Sequence, residues 1–158
     1  MAVQKPFEMI EDYLTGEPVP LVGAEGNRQA LLRYLVEERG FARADLARDV
    51  PLSFRVEGVR HDSALDLVLS WGERPVVVFK VAAGSLGSRE REAVAAARLA
   101  PGGPAHIAAV SDGKTATVLD AATGKPMGTG LDSLPGPEEA KELAARPAPA
   151  PLEGKRLR

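Results

Sequence analysis

Two ionisable residues stand out for their surroundings. Asp66 and Lys80 fall within Ala64–Val81, ALDLVLSWGERPVVVFKV, which reads as two aliphatic runs about a turn. A charge on a buried strand costs free energy unless it is paired or hydrogen-bonded. Such a residue needs a partner or a task. The first option is an ion pair at the sheet margin; the second is an acid and an ammonium held ready for chemistry.

A second group lies just downstream. Ala82–Ser88, AAGSLGS, is a loop of small residues, and the pattern places a helix over 89–100 with Ser88 as its N-cap. Small residues beside a helix N-terminus let a phosphate approach backbone N–H groups, and Arg89 and Arg91 add positive charge there. Ser85, Ser88, Arg89 and Arg91 are therefore the candidate nucleic-acid contacts. This loop lacks the glycine-lysine-serine/threonine sequence of a Walker loop. The alternative is an ordinary strand-to-helix connection with solvated arginines. A third group, Glu25, Arg28 and Gln29, opens the clearest predicted helix. Glu25 and Gln29 share a face by their four-residue spacing, and an acid suits a helix N-terminus without any further role.

These residues need elements to hold them. Residues 1–22 read as an amphipathic helix (Phe7, Ile10, Tyr13, Leu14) followed by an extended flap at Glu17–Pro20. Gly23–Arg39 is a helix with Leu31, Leu32, Leu35 and Val36 on one stripe and Gly40 as its C-cap. A short helical turn is expected around Leu46. Val50–Glu57, Ala64–Ser70 and Val76–Val81 form an antiparallel meander, with His61 in a connecting loop. After the 89–100 helix come strands at Ala105–Val110 and Thr115–Asp120, joined by an Asp-Gly turn. Strand, helix, strand implies one parallel pairing. The expected fold is thus a single α/β domain, with a central mixed sheet of about five strands flanked by helices on both faces. The domain proper spans 23–133. Beyond it, 134–158 holds a short helix from Pro137 and a proline-rich tail whose Lys155, Arg156 and Arg158 suit an acidic partner.

Composition narrows the chemistry. The chain has 158 residues, enough for one sizeable core. It has no cysteine and two histidines, which excludes disulfides and thiolate metal sites and disfavours a histidine-rich zinc site. A net charge of −2 gives no global attraction to nucleic acid, so DNA binding requires a local basic patch. The sequence has neither a secretory leader pattern nor an apolar run of membrane-spanning length, so the expectation is a cytoplasmic protein without membrane contact.

The order of elements resembles the N-terminal nuclease domain of type I restriction enzyme R subunits, a PD-(D/E)XK fold. The stretches that carry the resemblance are EGNRQALLRYLVEERGF at 25–41, the Asp66 and Lys80 strands, and VSDGKTATVLDAATGK at 110–125. It implies that a helix glutamate, a strand acid and a second strand glutamate hold Mg²⁺, with a lysine near the attacking water. By position these are Glu25, Asp66, residue 78 and Lys80, and residue 78 is valine. A valine cannot ligate a cation, and the family's glutamine-to-tyrosine spacing falls on Glu92 and Ala96. Glu92 is the candidate replacement acid, giving Glu25, Asp66 and Glu92 as the implied metal set. Three functions follow in order: a nuclease-like fold of lost or reduced activity that still binds nucleic acid, an active Mg²⁺-dependent deoxyribonuclease with a relocated acid, and a scaffold for a protein partner or homodimer.

Overall fold

The structure is a computed structural model that describes residues 7–149, so Lys155, Arg156 and Arg158 of the basic tail lie outside the described residues. The described chain opens with a small antiparallel hairpin, β1 (Met9–Glu11) and β2 (Pro18–Pro20), with Ile10 opposite Val19. This replaces the amphipathic helix predicted there. The apolar residues do not share a buried face; Phe7 and Met9 are exposed. Asp12 instead builds a turn, accepting hydrogen bonds from the Thr15 backbone N–H (3.1 Å) and hydroxyl (2.7 Å). Pro18 and Pro20 then keep the chain extended.

Helix α1 (Glu25–Arg33) continues through a π-helical turn at Tyr34–Glu38 and ends before Gly40, whose φ of 83° is the left-handed conformation expected of it. The predicted turn before Leu46 is a single 3-10 turn at Arg43–Asp45. The meander follows as β3 (Leu46–Val56), β4 (Val59–Trp71) and β5 (Arg74–Val81), all antiparallel. Its two longest strands run on past Ala64 as an exposed ribbon, closed by Glu57 and Gly58 at positive φ. His61 lies in that ribbon, not in a loop, and stacks on Phe54 with ring centroids 5.4 Å apart.

Helix α2 (Glu90–Arg98) crosses over to β6 (Ile107–Ser111), which pairs parallel with β5. Strands β7 (Ala116–Asp120) and β8 (Pro126–Thr129) complete a six-stranded sheet of order β3-β4-β5-β6-β7-β8. The sixth strand is β8. Its sequence, PMGT, carries no apolar alternation, and it forms by pairing with the edge of β7. Helix α3 (Pro137–Ala145) starts at the predicted proline. Ser88 does not cap α2. It sits in a 3-10 turn at Gly87–Arg89, its hydroxyl donating to the Ser85 carbonyl at 3.4 Å, and Glu90 and Glu92 provide the favourable charge in the first helical turn.

Both faces of the sheet are covered. Leu31, Leu32 and Leu35 of α1 and Ala140 and Ala144 of α3 pack with Leu67, Leu69, Val77 and Phe79. On the other face Ala93 and Ala97 of α2 pack with Val68, Val78, Ala108 and Val110. Each fully buried Val, Leu or Phe contributes about 1.5–3 kcal/mol. The alanines of α2 let that helix approach the sheet closely, which places its first turn beside the end of β5.

Candidate functional site

The register of β4 and β5 sets Leu67 opposite Phe79. One step toward the open end of the ladder stand Asp66 and Lys80. Lys80 Nζ lies 3.8 Å from Asp66 Oδ2 and 2.8 Å from Glu92 Oε1 of α2. Asp66 Oδ2 also accepts a hydrogen bond from the Val81 backbone N–H at 2.9 Å. Asp66, Lys80 and Glu92 thus form one cluster. Val78, two residues before Lys80 on the same face, is 1% exposed and packed among α2 alanines. At that position the cleft offers methyl groups, not oxygen.

Glu25 lies along the same groove but is held elsewhere. Arg28 donates to it from Nη2 (2.6 Å) and Nε (3.3 Å), Arg48 from Nη2 (2.5 Å) and Nη1 (3.1 Å), and Gln29 from its amide (2.9 Å). Arg28 also reaches the Asp66 backbone carbonyl at 3.0 Å, so Glu25 meets Asp66 only through this guanidinium. Asp12, fully buried, accepts from Gln29 and from Arg48. Burial by itself raises the pKa of both acids, but hydrogen bonds from Gln29 and Thr15 and the charge of Arg48 bring Asp12 down to about 2. Hydrogen bonds from Arg28, Arg48 and Gln29 likewise bring Glu25 down to about 2. Burial disfavours the charge on Arg48 too, yet its bonds to Glu25 and Asp49 hold it above the ordinary arginine value.

Glu25, Arg28 and Gln29 are grouped by their spacing in the sequence; Asp12, Arg48 and Asp49 are not. Asp12 is read as part of a helix, and Arg48 and Asp49 precede the predicted strand. Their convergence depends on the hairpin folding back over α1, for which no local spacing is a signal. The Tyr13 backbone N–H donates to Gln29 Oε1 at 2.7 Å, which ties that hairpin to the helix.

An open groove of about 640 Å³ runs over this region, lined among others by Glu25, Arg28, Arg48, Asp66, Lys80 and Arg89. A smaller, mostly apolar pocket of about 200 Å³ adjoins it between the ribbon and α2, with Asp66, Lys80 and Glu92 on its wall. Arg89 borders the groove and sits 3.8 Å from Glu92. Ser85, Ser88 and Arg91 are exposed nearby on the loop and the first turn of α2, and Arg91 makes no ion pair among the described residues.

Magnesium is held by oxygen ligands in near-octahedral geometry at about 2.0–2.1 Å. Here Glu25 is occupied by two guanidiniums, position 78 supplies no ligand, and Asp66 and Glu92 face each other across an ammonium. Among the described residues, no three His, Asp or Glu side chains are grouped to hold a metal ion. The donor set in this arrangement does not fit a magnesium site.

The fold matches a known structure, a fragment assigned to an HsdR subunit of a type I restriction enzyme from Vibrio vulnificus YJ016. The TM-score is 0.58 at 15% identity, covering 77% of this chain and 25% of that one. This chain therefore spans about a quarter of the length of that relative. Residues 23–135 match the family described as type I restriction enzyme R protein N terminus. The chain belongs to that family. No curated protein matches it. No helix among the described residues is long and apolar enough to cross a membrane.

Proposed function

We propose that this chain is a cytoplasmic nucleic-acid-binding module on a restriction-type fold, with hydrolysis weak or absent in isolation. One observation carries this: the acids of the cleft are ion-paired to the chain's own cations, and valine stands at position 78. The family supports DNA as the ligand. The Gly84–Arg91 loop beside the Lys80 strand is the contact surface, because Arg89 borders the groove and Arg91 is exposed just beyond a run of exposed small residues. Each phosphate neutralised adds about 0.9 to the slope of log affinity against log salt on duplex DNA. Replacing Arg89 and Arg91 together by alanine is expected to weaken binding to all sequences alike and to flatten that slope. Unchanged affinity and slope remove the loop from the binding surface.

A second proposal is favoured by the place of Glu92, within ion-pair reach of Lys80 on the Asp66 cleft: an active deoxyribonuclease using Glu92 as its relocated acid, with Mg²⁺ as its cofactor. Titration with Mg²⁺ or Mn²⁺, followed by incubation with plasmid and single-stranded DNA, separates the two. The binding module leaves both substrates intact. Metal-dependent cleavage abolished by Asp66→Ala and by Glu92→Ala establishes the nuclease. Failure to bind any DNA at low salt leaves a scaffold for a protein partner or a homodimer.

A further inference from the structure

The smaller pocket beside the groove combines apolar walls with a charged edge. Leu52 and Phe54 of β3 line it from the ribbon, and Ala95, Ala96 and Leu99 line it from α2. Asp66, Lys80 and Glu92 supply its polar side. Phe54 is half-buried, and His61 stacks on it with the two rings 15° from parallel, which steadies an aromatic surface at the pocket. Asp66 and Lys80 line the pocket and the larger groove alike, so the two spaces are continuous. Arg89, on the groove, lies 3.8 Å from Glu92, on the pocket. Among the described residues, the Lys80 ammonium meets Glu92 and Asp66 alone, which leaves one of its three hydrogens free, and Asp66 Oδ1 accepts no hydrogen bond. The polar side therefore offers a donor beside an acceptor.

We propose that this pocket receives one unpaired base of a DNA strand whose backbone lies in the groove, an inference that rests on the nucleic-acid-binding function proposed above and specifies what is bound. A base has apolar faces and an edge that carries donors and acceptors side by side, and sites for unpaired bases hold both at once. The volume of about 200 Å³ lies below the roughly 300–1,000 Å³ of drug-sized sites and suits a single ring system. An aliphatic side chain from a protein partner would match the walls but desolvate Asp66, Lys80 and Glu92 without bonding to them. A phosphate is repelled by the two carboxylates and finds Arg89 one side chain away. A base inside a duplex has its faces stacked and its edge paired, so only an unpaired base can enter.

The test uses the whole chain at low salt, with fluorescence anisotropy of three labelled probes: a short thymine oligonucleotide, an abasic deoxyribose-phosphate chain of the same length, and a duplex. The parent binds the thymine probe roughly 5- to 100-fold more tightly than the abasic one, the range for stacking one base on an aromatic ring. Phe54→Ala removes the ring, and Ala95→Phe fills the pocket from an exposed position of α2. Both abolish the preference and leave affinity for the abasic probe at the parent's value. The two changes lie on different elements, so a folding defect in one, seen as a lowered melting temperature, leaves the other to decide. Equal affinity of the parent for the thymine and abasic probes overturns the pocket and leaves the phosphate contacts of the binding module standing. A preference that Ala95→Phe leaves intact does the same, as does binding of the duplex with neither single strand. Binding of no probe overturns the binding module and this inference together.

Discussion

The pKa values of Asp12 and Glu25 make the arginine cluster a pH-dependent source of stability. Both fall to about 2 in the folded protein, from ordinary values of 3.8 and 4.5. Between these limits the unfolded chain binds more protons than the folded one, so stability falls as pH falls. Their contribution is complete above about pH 5 and is lost progressively toward pH 2. Protonating both acids leaves buried guanidiniums without their counter-charges and is expected to cost on the order of 3–5 kcal/mol together. Urea midpoints measured at pH 7, 5, 4 and 3 are expected to fall mainly below pH 5. A midpoint that stays flat down to pH 3 contradicts the cluster as drawn. Val78 sets a second limit at this scale. Val78→Glu puts an acid at the position where the resemblance implies a ligand, but it places that acid among Val68, Ala93 and Ala97. A destabilisation of about 2–5 kcal/mol is expected, measured as a lowered urea midpoint. Cleavage is not expected to return, because Glu25 stays bound to its arginines.

At the level of elements, the Asp112–Lys114 turn shows how the outer strands are locked to α1. Gly113 has φ 86°, and a Cβ added there would lie 2.6 Å from the Asn27 backbone oxygen. Asn27 in turn donates to the Ala82 carbonyl at 2.8 Å, next to the end of β5. Gly113→Ala is expected to destabilise the protein by about 1–3 kcal/mol, through left-handed strain and the forced shift of α1. A melting temperature unchanged within error argues against this packing. The same turn shows what local sequence reveals. The Asp-Gly signal, the Gly40 cap, the Pro137 helix start and the β-branched run of β5 each act through neighbouring residues, so the meander, the parallel pair and the two-faced packing were legible. Met9–Glu11 and β8 owe their conformation to partners distant in sequence or across an open edge, and helical spacing alone misassigned the first and overlooked the second. The ends of α2 shifted for a related reason, since Ser88 turned back to Ser85 and left the helix without a side-chain cap. The candidate site divides in the same way. Asp66 and Lys80 were conspicuous because charge is rare in apolar strands, whereas Asp12, Arg48 and Asp49 come together only when the hairpin carries Asp12 onto α1 and β3.

For the molecule as a whole, a chain of net charge −2 attracts DNA only through a local patch. The cleft's cations are already paired, Lys80 between Asp66 and Glu92 and the two arginines, Arg28 and Arg48, with Asp12, Glu25 and Asp49. Beside the groove, Arg89 lines its edge and Arg91 is exposed in the first turn of α2. On the proposed reading, a cleft whose acids are held by internal cations binds DNA without metal and leaves it uncut. The most direct measurement is the fluorescence anisotropy of a labelled duplex titrated with the protein at low salt, once in EDTA and once in Mg²⁺ at matched ionic strength, with the DNA of each endpoint run on a denaturing gel. The account predicts the same affinity in both series and intact strands in both lanes. A requirement for Mg²⁺ in binding, or cut strands in the Mg²⁺ lane that Asp66→Ala prevents, would contradict it.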